Sequence, residues 1–434
     1  MSHTDYKQTL DYLFNKLPVY QHQGTPAANL DLSTTRELCW DLGMPQWKLN
    51  TVHVAGTNGK GSVSSMLASI FQEAGFRVGL FTSPHLGDFR ERIRINGQPI
   101  SEAEVVEWVD CYKLPIERLK PTFFELTTVM AFEYFADQEV DICLFEVGLG
   151  GRLDATNVLK PELSVVTGIG LDHTHILGET LAEIAGEKAG IFKKYTPAVV
   201  GRRHPETDPV FVKIADELEA DLHFAADQYI ATPVPGSDLY QTWEVNGQTY
   251  ELDLMGRFQG ENLATVLQSV EALRTDGWDI PEEAVLNGLR NVVRNTGMRG
   301  RMERLQSQPT VLCDVGHNLD GIRATIPQVK ALPSEQLHII WGMVEEKDHQ
   351  SILAELPSEA TYYFTQPQNP RGLAAEKLAS LASEVGLKGS VFADTQRALN
   401  AALEAAQPQD LIFVGGSTFT VADLLILWPE RQAV

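Results

Sequence analysis

The chain has 434 residues, 43% of them hydrophobic and 21% charged. That length and apolar content fit two or three folded domains with cores of their own, and they exclude a disordered chain. Acidic residues outnumber basic ones 58 to 35, a formal net charge of −23, which argues against a nucleic-acid partner, because gripping a phosphate backbone needs a basic face.

The opening MSHTDYKQTLDY lacks the basic and apolar regions of a signal peptide. No apolar run approaches the ~20 residues needed to cross a bilayer. A cytoplasmic protein with no membrane partner is expected. Cys39, Cys111, Cys143 and Cys313 form no CxxC pair, so reduced, mostly buried thiols are expected, none of them catalytic.

Strand and helix patterns alternate over the first ~300 residues. Residues 49–55 read as a buried strand and 62–74 as a helix ending at Gly75; 77–82 is the next strand. Asn96-Gly97 between short apolar runs marks a hairpin over 91–100. A helix over 122–137 opens on Thr122-x-x-Glu125, a capping box. The nearly all-apolar 140–147 has the look of a central parallel strand. Then follow a strand at 163–169, a helix at 180–192 and a short strand at Ala198–Val200.

Residues 238–254 break the rhythm with two strands around Asn246-Gly247, and helices are expected at 261–275 and 281–292. The basic, glycine-containing stretch 294–301 marks a boundary, dividing the chain into 1–297 and 298–434. Strands at 310–314, 337–342, 361–364 and 411–414, with helices between, give a second α/β domain. The fold class is therefore α/β: an N-terminal domain with a mainly parallel sheet, whose glycine-rich turn at 56–62 with Lys60 marks it as a P-loop ATPase domain, and a smaller C-terminal Rossmann-like domain.

The strand at 49–55 runs into Gly56-Thr57-Asn58-Gly59-Lys60-Gly61-Ser62 and then a helix. Strand, glycine-rich turn, Lys and Ser, helix is the context of a phosphate loop. Backbone N–H groups close on phosphate oxygens, and the helix N-terminus adds roughly half a positive charge. Lys60 would neutralise the outer phosphates of ATP, and the Ser62 hydroxyl would reach Mg²⁺. The spacing is not the common G-x-x-x-x-G-K-[ST], since Val54 stands at the first position and Gly61 separates Lys60 from Ser62. An ordinary glycine-rich turn is the plainer alternative.

Glu146 and His173 both fall at carboxyl ends of expected strands, where an acid or imidazole near a phosphate loop can hold a metal, with Ser83 on a neighbouring strand end. Asp172 could orient His173. Lys188 lies mid-helix, where a surface lysine is the usual reading. Arg301, at the boundary, is a candidate for ATP phosphates from outside the loop, and Asp314, ending a strand, could accept a hydrogen bond from ribose.

The loop Gly-Thr-Asn-Gly-Lys-Gly-Ser resembles that of the Mur ligase superfamily. Further segments narrow the resemblance to the folylpolyglutamate synthase/dihydrofolate synthase family: Thr82-Ser83-Pro84-His85-Leu86, Glu146 through Arg152-Leu153-Asp154-Ala155-Thr156-Asn157, Leu171-Asp172-His173-Thr174 and Glu187-Lys188 through Phe192. Gly300-Arg301, Asp314 through His317-Asn318, Gly342-Met343 and Gly416-Ser417 carry it to the end of the chain. Phe258 precedes Gln259 where relatives often have His, and Leu319 follows Asn318 where they often have Pro.

The resemblance implies an ATP-dependent ligase that adds L-glutamate to dihydropteroate, to reduced folates, or to both through an acyl phosphate, acting as a monomer. It implies a carbamylated Lys188 that helps hold a second Mg²⁺. It places a pterin pocket near Thr122, Phe124, Glu125, Asp154 and Ala155, and nucleotide contacts at Asn262 and His317. A bifunctional enzyme is favoured, with a monofunctional folylpolyglutamate synthase, another Mur-type ligase and a P-loop NTPase regulator as alternatives.

Overall fold

The computed structural model describes residues 3–20, 24, 31–237 and 239–428. Position 238, where a two-strand pattern was expected to begin, lies outside them. The chain divides into two compact units. The first holds the chain up to His85 with Phe89–Asp253 and Gln259–Met298; the second holds Arg299 onward with Leu86–Asp88 and Leu254–Phe258.

An eight-stranded sheet forms the first unit. Its strands are β1 (Thr51–Ala55), β2 (Val78–Phe81), β3 (Ile93–Ile95), β4 (Gln98–Pro99), β5 (Ile142–Glu146), β6 (Leu163–Val166), β7 (Ala198–Val200) and β8 (Leu222–Phe224), in spatial order β4-β3-β2-β5-β1-β6-β7-β8. All pairings are parallel except the β2–β3 and β3–β4 edge. There Asn96 and Gly97 take positive φ, as the hairpin signal requires.

Strands β1 and β5 are buried along their whole length, which is why they read as unbroken apolar runs rather than alternating ones. One sheet face packs on Leu13, Phe132 and Phe135, the other on Ala185, Ile191 and Phe211. A three-stranded antiparallel sheet follows: β9 (Thr232–Val234), β10 (Gln241–Val245) and β11 (Gln248–Leu252). The sequence reading found the last two. It missed β9, a three-residue strand too short for a periodic signal.

The second unit is a six-stranded sheet of β12 (Glu303–Ser307), β13 (Thr310–Cys313), β14 (Leu337–Trp341), β15 (Thr361–Thr365), β16 (Gly389–Phe392) and β17 (Leu411–Gly415). The order is β12-β13-β17-β14-β15-β16, parallel except for β12. Alternate residues of one strand feed opposite cores: Ile339 and Trp341 join one cluster, Ile340 the other. All four cysteines are free; Cys39, Cys143 and Cys313 are buried and Cys111 is exposed. Among the described residues no helix is long and apolar enough to cross a membrane.

Candidate active site

Because β1 lies between β5 and β6, the residues after four adjacent strands, β2, β5, β1 and β6, gather at one end of the sheet. Ser83, Glu146, the loop 56–62 and Asp172-His173 all sit there. This is the edge at which parallel α/β sheets hold ligands.

The helix Lys60–Glu73 starts at Gly59, which has φ 90° and makes no side-chain cap. The first N–H groups of the helix thus have no side-chain oxygen closing them, as suits an anion site. Two glycines are required by their neighbours. A Cβ at Gly56 would collide with the Thr167 hydroxyl, and one at Gly59 with the Asn262 side-chain oxygen. Backbone then tethers the loop to the segment after β6. Thr57 N–H donates to the Gly168 carbonyl (2.8 Å), and the Thr57 hydroxyl lies 3.1 Å from the Gly170 carbonyl and 3.0 Å from its N–H.

Lys60 Nζ donates to the carbonyls of Gly56 (3.1 Å) and Thr57 (3.3 Å). Ser62 is buried, and its hydroxyl accepts from Gln259 Nε2 at 3.4 Å; Gln259 in turn accepts from Asn262 Nδ2 at 2.7 Å. The helix Gln259–Thr275 therefore brings Asn262 against the loop, about 200 residues away in sequence.

Glu146 ends β5, is 5% exposed, and accepts the Ser83 N–H at 3.2 Å. His173 has φ 50°, opens the turn Thr174–Leu177, and places Nδ1 3.1 Å from the Tyr20 hydroxyl. Asp172 accepts the His173 N–H at 2.8 Å and lies 3.9 Å from Nε2.

Lys188 corrects the surface reading of its helix. It is 4% exposed and its Nζ donates to the Gly56 carbonyl at 2.9 Å. Burial first, and the Lys60 charge second, bring its ammonium down to about 7.

The capping box is present: the Thr122 hydroxyl accepts the Glu125 N–H (3.2 Å) and Glu125 accepts the Thr122 N–H (2.7 Å). Phe124 is half-buried, 5.9 Å from Phe81 by ring centroids. Asp154 is buried and accepts from Leu149 N–H, Thr156 N–H and the Thr156 hydroxyl at 2.8, 3.0 and 2.5 Å, so it braces the loop after β5. Burial raises its carboxyl above the usual range, and these bonds oppose the rise. Ala155 opens the short turn that Asp154 caps.

Within the second unit, Asp314 follows β13 and is buried. It accepts from Met302 and Gly316 N–H at 2.9 and 2.8 Å. Burial raises its carboxyl, and Arg301 counters that. Arg301 donates to the Gly300 carbonyl at 3.3 Å, and His317 Nδ1 lies 3.0 Å from the Val315 carbonyl, just before the helix cap Asn318.

Among the described residues no group of three or more His, Cys, Asp or Glu could hold a metal ion. The donors at the strand ends are instead hydroxyls, the carboxylates of Glu146 and Asp172, and one imidazole. Such a set fits Mg²⁺, which takes one or two carboxylates and completes its shell with substrate phosphates and water. Sequence reasoning missed Thr167, Gly168, Gly170, Gln259 and Tyr20. Only the lone Gln259 beside Asn262 carried any signal, through the family pattern.

Residues 54–270 match the Mur ligase middle domain and residues 300–418 the Mur ligase glutamate ligase domain. A dihydrofolate synthase/folylpolyglutamate synthase of Bacillus subtilis is 34% identical over 91% of this chain and 94% of its own length. The structure of Escherichia coli FolC in complex with DHPP and ADP matches with a TM-score of 0.84 and 32% identity, covering 97% of each chain. A bifunctional folylpolyglutamate synthase/dihydrofolate synthase with Mn, AMPPNP and L-glutamate bound matches at 0.82 and 30%, again covering 97% of each. With both Mur ligase domains in order and homology along nearly its full length, the chain belongs to the dihydrofolate synthase/folylpolyglutamate synthase family of Mur ligases.

Proposed function

We propose that this chain is an ATP-dependent, ADP-forming ligase that joins L-glutamate to dihydropteroate and to the γ-carboxylate of folyl(poly)glutamates. The observation that carries the reading is the loop 56–62 on the uncapped helix start, with Glu146 and His173 after the two flanking strands. Both activities are assigned because full-length relatives are named for both.

A carboxylate does not accept an amine directly near neutral pH, so it must first gain a better leaving group. An acceptor carboxylate oxygen attacks the γ-phosphorus of ATP, the bridging bond to the β-phosphate breaks, and ADP leaves. The glutamate amine then attacks the acyl carbon and gives up a proton. The acyl C–O bond breaks, and phosphate departs with the acceptor's oxygen.

In this reading the loop 57–62 holds the phosphates and takes up charge on the transferring group through the N–H groups of 59–62 and Lys60. Asn262, Arg301, Asp314 and His317 are assigned to the nucleotide, and Thr122, Phe124, Glu125, Asp154 and Ala155 to the acceptor pocket. Ser62, Ser83, Glu146, His173 and a carbamylated Lys188 would hold Mg²⁺. When bound, the metal supplies Lewis-acid stabilisation of phosphoryl charge. A ligase domain at 298–434, an ATPase domain at 1–297, a monomeric state and a cytoplasmic site of action complete the assignment.

Dihydropteroate labelled with ¹⁸O in its carboxylate tests the chemistry. Label is expected in the released phosphate, and its absence removes the acyl-phosphate step. Dihydropteroate and tetrahydrofolate offered as competing acceptors decide bifunctionality: turnover of tetrahydrofolate alone would leave a monofunctional enzyme.

A further inference from the structure

We propose that Thr167 is a positioning residue for the nucleotide, its hydroxyl fixing the orientation of the Asn58–Gly59 peptide in the phosphate loop. The proposal rests on the reading of residues 56–62 as an ATP site.

Thr167 follows β6 and is 6% exposed. Its N–H donates to the Ala55 carbonyl of β1 at 3.0 Å, so its backbone is tied to the strand that feeds the loop. Its hydroxyl donates to the Asn58 carbonyl at 2.6 Å. It also fills the space that any side chain at position 56 would need.

The consequence lies in peptide geometry. In a trans peptide the C=O and the following N–H point in opposite directions, and the Asn58–Gly59 bond is not among the cis bonds of the chain. Holding the Asn58 carbonyl on Thr167 therefore turns the Gly59 N–H away from β6, where it meets a phosphate oxygen. The tether matters because Gly59 has no Cβ and tolerates either sign of φ. A flip of this peptide would aim a carbonyl rather than an N–H at the nucleotide. The neighbouring bonds of Thr57 to Gly168 and Gly170 hold the start of the loop in place.

Thr167→Val keeps the shape and deletes the hydroxyl; Thr167→Ser keeps the hydroxyl and deletes a methyl. Calorimetric binding of MgATP and steady-state kinetics are measured on the full chain. Removing this hydrogen bond to the loop is expected to weaken ATP binding and raise its KM by about tenfold in Thr167→Val. KM for the acceptor and for glutamate should stay at their native values. Thr167→Ser should restore ATP binding to within about threefold, since the same hydrogen bond is available.

Unchanged ATP affinity in Thr167→Val, an equal loss in both variants, or a parallel rise in all three KM values overturns the proposal. So does a Thr167→Val chain that does not fold, since the side chain would then hold the sheet rather than the loop. If the native chain itself bound no ATP, the reading of the site would fall and this inference with it; native binding with a silent Thr167→Val sinks the inference alone.

Discussion

Burial drives both Lys188 and His53 toward their neutral forms, with different consequences. For Lys188, a value of about 7 leaves much of the side chain as free amine near neutral pH, and only the free amine adds carbon dioxide. A ¹³C carbamate resonance on Lys188 is therefore expected in labelled bicarbonate. Lys188→Ala should lose at least about a hundredfold in turnover, the scale of one lost charge-stabilising group, with partial return in formate. An active Lys188→Ala without added anion would remove the residue from the chemistry. His53 lies on β1, with Nε2 2.7 Å from the Thr156 hydroxyl, and burial with a contribution from Lys193 lowers it to about 3 from 6.5. Between those two values the unfolded chain binds a proton that the folded chain refuses. Its contribution is thus fully present above pH 6.5 and is lost progressively as pH falls toward 3. Urea titrations should show a shallower acid decline in His53→Gln, by up to about 1.4 kcal/mol per pH unit. Parallel curves for the two proteins would refute this.

At the scale of elements, the helix that carries Lys60 depends on close approach by Glu282–Arg290. Gly288 on that helix has room for no side chain, since a Cβ would lie 2.5 Å from Ile70 Cα and 2.7 Å from Ile70 N. The Ser69 hydroxyl donates to the Gly288 carbonyl at 2.6 Å. Alanine would gain up to about 1 kcal/mol of helix propensity but must push backbone apart, costing about 1–3 kcal/mol or more. Since the obstacle is backbone, the steric term should win, and Gly288→Ala should lower the urea midpoint. A raised midpoint would show that the two helices separate freely. The helix start at Thr122 was read from local spacing, whereas the one at Ser101, also a capping box, was missed. Thr122/Glu125 is a capping box whose partners lie three residues apart, so sequence spacing and spatial contact coincide. Thr167 and Gln259 were not legible, because their loop partners are more than 100 residues distant.

For the whole molecule the net charge of −23 opposes a substrate set that is itself anionic. The local cation Lys60 must act against that field, and added salt weakens the long-range repulsion before it weakens the short-range contact. Raising ionic strength from about 10 to about 150 mM shortens the screening length from about 30 to about 8 Å. kcat/KM for MgATP is therefore expected to rise modestly, about two- to threefold. A steep fall would mean that the loop's own cations dominate capture at long range.

What the sequence determined by itself was local or periodic. Buried parallel strands announced themselves as apolar runs, the hairpin as Asn96-Gly97, and the proposed nucleotide loop as a glycine-rich turn with Lys60 and Ser62, because each signal spans only a few residues. Tertiary structure alone decided the rest. Strand order set Glu146 and His173 on either side of β1. Folding buried Lys188, whose helix gave no sign of it, and so moved its amine toward neutrality. It also joined Thr167 and Asn262 to a loop they do not neighbour in sequence. Burial and hydrogen bonding between distant segments depend on where the chain returns in space, and no local pattern encodes that.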